Sequence, residues 1–152
     1  MELIRSLPSQ SIPDVGHLPR VELSVERHDL AKLRWRGAAS DGREFGFDLH
    51  QPLAQGALFF VSETAHYCIA QKPEPVLEVA LGDPAAAALT GWKIGNLHFP
   101  MEVTEAGGSS RIRVADDLAL RQLFERERIP FCEAVSVFQP LKGAPHAHGH
   151  AH

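Results

Sequence analysis

The sequence predicts an α+β fold: an all-β N-terminal domain, a second domain of mixed strands and helices, and a histidine-rich tail. Three observations carry that prediction. Short runs alternating apolar and polar residues dominate positions 20–71. After the Pro-flanked stretch "QKPEP", strand patterns alternate with helix patterns in the order β-α-β-β-α-β, over roughly 65 residues. That order is the split βαβ, ferredoxin-like plan. Finally, "APHAHGHAH" holds only Ala, Pro, Gly and His, has nothing to bury, and is expected to be disordered. The resulting limits are 1–72 for the β domain, 73–143 for the ferredoxin-like domain and 144–152 for the tail.

The elements follow in order. The first sixteen residues hold Pro8, Pro13 and Gly16 and read as a loose lead-in. "RVELSVE" alternates with a period of two, and "KLRWRG" repeats the pattern with Leu33 and Trp35. Asp41-Gly42 separates that run from "REFGFDL", where Phe45, Phe47 and Leu49 alternate, and so predicts a hairpin. "ALFFVS" and "AHYCIAQ" complete the β domain. Pro73 and Pro75 deny regular hydrogen bonding and stiffen a linker.

Beyond the linker, "VLEVAL" is a strand. "GDPAAAALTGWKIG" is a helix with Asp83 at the N-cap, Pro84 at the first helical position and Gly95 at the stop. "FPMEVTE" and "SSRIRVA" form a hairpin through Ala106, Gly107 and Gly108. "DDLALRQLFERERI" is the second helix. Asp116 and Asp117 lie at its positive end, and Leu120, Leu123, Phe124 and Glu127 trace one face. "FCEAVSVFQP" is the last strand, ended by Pro140.

Composition excludes several functions. With 44% hydrophobic residues a core can form. A net charge of -4 argues against nucleic acid, which wants a basic face. No apolar run approaches a membrane span, and "MELIRSLPSQ" lacks the apolar region of a secretory signal, so the expected compartment is the cytoplasm. Cys68 and Cys132 have no CxxC spacing and read as small buried hydrophobes. There is no GxxxxGK[ST] loop, GxSxG turn or HExxH helix, and no nucleophile stands beside a base. The chain is expected not to be an enzyme.

Nine histidines are the outstanding feature. His17, His28, His50 and His66 are scattered, with no second ligand at metal-site spacing, and read as surface or half-buried polar residues. His146, His148, His150 and His152 differ, since they occupy alternate tail positions. Neutral imidazole suits nickel, copper and zinc, and tethering holds further rings at high local concentration once one has bound. A purification remnant is the alternative, but such tags are usually unbroken, and here Ala and Gly intervene. His98, in "GWKIGNLHFPMEV", follows a helix stop and opens a strand. By itself it reads as a packing or surface residue.

At this stretch the chain resembles a known family. Gly95-Asn96-Leu97-His98-Phe99-Pro100 is similar to the "GNRH-apolar-P" signature of the urease accessory protein UreE family. "LEVALGDPAAAALTGWKIGN" resembles the family's first strand and helix of its metal-binding domain, and "RIRVADDLALRQLF" with "AVSVFQPLKGA" resembles its second helix and closing segment. "SDGREFGFDLHQPLAQGALFF" is similar to its N-terminal hairpin. Together these cover most of residues 20–152.

The resemblance implies a nickel-binding metallochaperone that helps load the dinuclear nickel site of urease. It implies a peptide-binding-like β domain and a ferredoxin-like domain that forms a homodimer. It also implies work with a urease accessory GTPase and the urease apoprotein assembly complex. On that reading His98 lies near the two-fold axis and each copy supplies one ring, because a residue on such an axis meets its own copy. The tail histidines His146, His148, His150 and His152 complete the Ni2+ site; Zn2+ and Cu2+ accept imidazole as well. Three positions depart from the family pattern. Leu97 stands for the usual Arg, Lys93 stands where a histidine is often found, and Asp117 stands where many members carry one. From a different class comes the alternative of a peptide-holding adaptor of the urease assembly complex with a passive, metal-buffering tail.

Overall fold

A computed structural model describes residues 1–8 and 15–141, with Ala106 described by its backbone alone. The tail histidines lie outside the described residues. The chain divides into two compact units, Met1–Pro73 and the part from Glu74 onward. It is a mixed α+β protein, mostly strands with three helices among the described residues.

The first unit contains β1 (Glu2–Ile4), β2 (Arg20–Val25), α1 (Arg27–Leu30), β3 (Arg34–Ala38), β4 (Glu44–Asp48), β5 (Leu58–Val61) and β6 (His66–Gln71). They form two three-stranded sheets, ordered β1-β4-β3 and β2-β6-β5. Alternation along β4 sends Phe45 and Phe47 into the core, where Phe45 meets Phe59 edge-on at 5.0 Å. The predicted hairpin joins β3 and β4. Ala39 N–H bonds the Arg43 carbonyl at 2.9 Å, and Gly42 takes the left-handed conformation at φ 85 that this turn requires. Tyr67, almost fully buried, donates its hydroxyl to Asp41 Oδ2 at 2.8 Å and braces the turn from β6.

Two features depart from the expected all-β domain. The lead-in contains β1, which runs parallel to β4 with Ile4 opposite Phe47. One turn of helix, α1, follows β2 and buries Leu30. Both are shorter than the window in which a period can register, so neither left a pattern in the sequence.

The second unit contains β7 (Glu74–Leu81), α2 (Pro84–Asn96), β8 (Met101–Ala106), β9 (Ser109–Ala115), α3 (Leu118–Arg126) and β10 (Cys132–Ser136). All four strands pair antiparallel in the order β10-β7-β9-β8. Pro75, expected in the linker, is the second residue of β7, near the strand start where proline is tolerated. Both helices start where expected, α2 with Asp83 as its cap and α3 at the aspartate pair, of which Asp117 proves to be the cap. Asp83 Oδ1 accepts from Ala85 N–H at 3.0 Å, and Asp117 Oδ1 from Ala119 N–H at 2.8 Å. Asp116 instead holds the Arg121 guanidinium.

One sheet face carries Leu77, Val79, Ile112 and Val114, which pack with Ile94 of α2 and Leu120, Leu123 and Phe124 of α3. Glu127 is not on that buried face: it caps the end of α3 and pairs with Lys93 of α2 at 2.7 Å. Alternate residues point to the other face, where Glu78, Arg113 and Glu102 are cross-strand neighbours in one row. The last strand stops at Ser136, before Pro140, because the chain then leaves the ladder. Cys132 is exposed, contrary to expectation, since β10 is a sheet edge; Cys68 is buried as expected.

Candidate metal centre

The geometry around His98 begins with how α2 ends. Gly95, read as the stop, lies within the helix, and so does Asn96. The left-handed residue that reverses the chain is His98 itself, at φ 59. Its N–H bonds the Gly95 carbonyl at 2.9 Å, as in the Schellman ending of a helix. Phe99 then packs into the same core cluster as Ile94, and Pro100 blocks further helix. His98 therefore sits in the reversal and not in the strand, which starts at Met101.

The reversal leaves the His98 side chain exposed. Glycine is the usual occupant of this position, because a Cβ in the left-handed region crowds the backbone. A histidine held there places an imidazole outward on a turn whose backbone is fixed on both sides. Three large apolar side chains are exposed on α2 and at the residue that follows it. Leu89 is 51% exposed, Trp92 63% and Leu97 44%. Leu89 and Trp92 stand three residues apart, hence on one helix face.

The root of the tail is also close to this turn. Leu141 N–H donates to the Met101 carbonyl at 2.8 Å, three residues beyond His98 in sequence. The sequence held no sign of this contact, since the two residues lie forty positions apart and no short-range pattern links them.

The other candidates are dispersed. His28 lies in α1, His66 in β6, and His50 borders a shallow groove with Arg5 and Leu49. His66 Nδ1 is buried without a partner among the described residues. Asp117 spends its carboxylate on the α3 cap. Lys93 holds Glu127, whose carboxyl is kept below the usual range mainly by that ammonium and next by Arg126. Burial pushes the Cys68 thiol up, away from thiolate chemistry. Among the described residues, no three His, Cys, Asp or Glu side chains converge as metal ligands. One chain thus presents one outward imidazole at this turn, which leaves most of a cation's coordination to other donors.

Known proteins resemble this chain along most of its length. Residues 74–152 match the family described as UreE urease accessory protein, C-terminal domain. The chain is 29% identical to the urease accessory protein UreE of Nitrosococcus oceani, across 97% of this chain and 86% of that protein. It is 29% identical to that of Rhizobium rhizogenes, across 100% of this chain and 89% of the relative. A third, from Nostoc sp., is 32% identical across 55% of this chain and 54% of its own length. The chain belongs to the UreE urease accessory protein family, a family of accessory proteins and not of enzymes.

Proposed function

We propose that this protein is a nickel-carrying metallochaperone that works as a homodimer and delivers Ni2+ during assembly of the urease active site. The observation that carries the reading is the left-handed, exposed His98 within Gly95–Pro100. A histidine there costs stability relative to glycine and makes sense as a ligand. The exposed Leu89, Trp92 and Leu97 suit coverage by a second copy of the chain, which would bring a second His98 to the same ion. His146, His148, His150 and His152 then complete the coordination and can let go, as a carrier must. Zinc and copper accept the same donors.

On this reading the unit from Glu74 onward is a ferredoxin-like metal-binding and dimerisation domain. The partners are the urease accessory GTPase and the urease apoprotein complex, in the cytoplasm. No helix among the described residues is long and apolar enough to cross a membrane. Calorimetric titration with nickel tests the assignment on the full chain, on His98→Ala and on a truncation after Gly143. An unchanged dimer-linked site and unchanged urease activation in His98→Ala would sink it.

A second reading, a peptide-holding adaptor, has its own observation. A shallow groove of about 560 Å³ runs over the β1-β4-β3 sheet, lined by Leu3, Trp35, Gly46 and the charged Arg34, Arg36 and Asp48. Deleting residues 1–72 separates the two. Loss of urease activation with normal nickel binding favours the adaptor, and retained activation favours the carrier.

A further inference from the structure

We infer that Glu102 and Arg113 are positioning residues: they strap Val137–Leu141 across the sheet and fix where the histidine tail leaves the domain. The inference rests on the reading of His98 and the tail as nickel ligands.

The two edges of the sheet are β10 and β8, with β7 and β9 between them. A chain leaving β10 would by default depart from the β10 edge. Here it does not. The Val137 carbonyl accepts from Arg113 Nη1 of β9 at 3.3 Å. Gln139 N–H donates to Glu102 Oε2 of β8 at 3.2 Å. Leu141 N–H then reaches the Met101 carbonyl, at the first residue of β8. Phe138, between the first two anchors, is fully buried. The anchors lie first on β9 and then twice on β8, so the segment ends at the edge opposite β10.

The crossing leaves little slack. Three strand spacings of about 4.8 Å make about 14 Å, whereas the five steps from Ser136 to Leu141 extend to about 18 Å at most. Arg113 is prepared for its role by Glu78, which takes its Nε and Nη2 and leaves Nη1 directed to Glu102 and Val137. The Arg113 and Glu102 side chains are each only 16% exposed, so water competes weakly for these contacts.

The consequence is reach. From Leu141, His146 lies five residues on, within about 18 Å of chain. His98 lies three residues before Met101, within about 11 Å. Released from its anchors, the tail would hang from Ser136 at the opposite edge, with ten residues to His146. Local concentration falls roughly as the -3/2 power of tether length, so halving the tether raises it about threefold.

The test uses the full chain. Glu102→Ala removes the acceptor for Gln139 N–H, and Gln139→Pro removes the donor without touching the charged row. Glu102→Gln keeps an amide oxygen as acceptor. Amide hydrogen exchange of Gln139 and Leu141 should quicken more than tenfold in Glu102→Ala, and that of Leu141 in Gln139→Pro. Val114 and Leu123 should stay protected in both, which excludes general unfolding. Nickel dissociation constants, by calorimetry, should rise about threefold in both. Glu102→Gln should restore slow exchange and parental affinity. Inserting five Gly/Ser residues after Leu141 should reproduce the threefold loss with slow exchange at Leu141. Fast Leu141 exchange in the parent overturns the inference, as does a released strap with unchanged affinity. If instead His98→Ala binds nickel as the parent does, the metal-centre reading itself has failed, and the inference falls with it.

Discussion

Arg113 holds Glu78 across neighbouring strands, its Nε and Nη2 on one carboxylate oxygen at 3.0 and 2.8 Å. Arg111 Nη1 takes the other oxygen at 2.9 Å. Glu78 is 9% exposed, so both oxygens have exchanged water for guanidinium. This row stabilises the face of the sheet that α2 and α3 leave uncovered.

The Glu78 carboxyl is therefore held below the usual carboxylate range, chiefly by the Arg113 hydrogen bonds and next by Arg111, against the opposing effect of burial. A depressed folded pKa contributes stability that is fully present above the unfolded value, about 4.3. That stability is lost as pH falls through the lower, folded value. Glu78→Ala should destabilise the second unit by about 2–3 kcal/mol at pH 7, because two guanidinium groups lose their partner. Protection of the Val114 amide reads this out. The variant's deficit should shrink as pH drops below about 4; a deficit independent of pH would contradict the ion-pair account.

The two left-handed residues other than glycine among the described residues make a matched pair. His98 at φ 59 and Arg128 at φ 54 both end helices. His98→Gly and Arg128→Gly should each stabilise by about 0.5–1 kcal/mol, once glycine's extra unfolded-state entropy is subtracted from the relieved strain. Only His98→Gly should lose nickel. Equal nickel binding by the two variants would show that His98 is merely a helix ending.

Trp92, 63% exposed on α2, is the residue on which the proposed second copy depends most. Trp92→Glu should weaken the dimer about hundredfold, from loss of apolar burial in both copies. Sedimentation velocity gives the mass, and the His98-dependent nickel site should disappear with the dimer. A monomeric parent would end the two-copy reading.

Imidazole binds a cation only when deprotonated. Nickel affinity should therefore fall steeply below about pH 6, near the ordinary imidazole range. Titrations from pH 8 to pH 5 test this, and a flat profile would point away from histidine ligands.

Most elements were legible in the sequence because their causes are local. Alternation marked β4, Asp41-Gly42 marked its hairpin, Asp83 announced α2 as a cap, and Asp116 and Asp117 marked the start of α3 by their charge. Glycine misled at α2. Gly95 looked like a stop, yet which residue turns left-handed depends on where Phe99 can enter the core beside Ile94, and that selects His98. For β1 the partner strand lies some forty residues away, and three residues show no period.

By itself, then, the sequence determined the order of strands and helices apart from β1 and α1, the helix starts, the apolar faces and the signature around His98, all of which depend on neighbours a few residues apart. Only the tertiary structure decided that Leu141 crosses to Met101, that Glu102 and Arg113 line the crossing, and that His98 is the exposed left-handed residue after α2. Those relations join residues far apart in the chain. They exist because sheet order brings two edges within the span of five residues, a distance that no periodic pattern encodes.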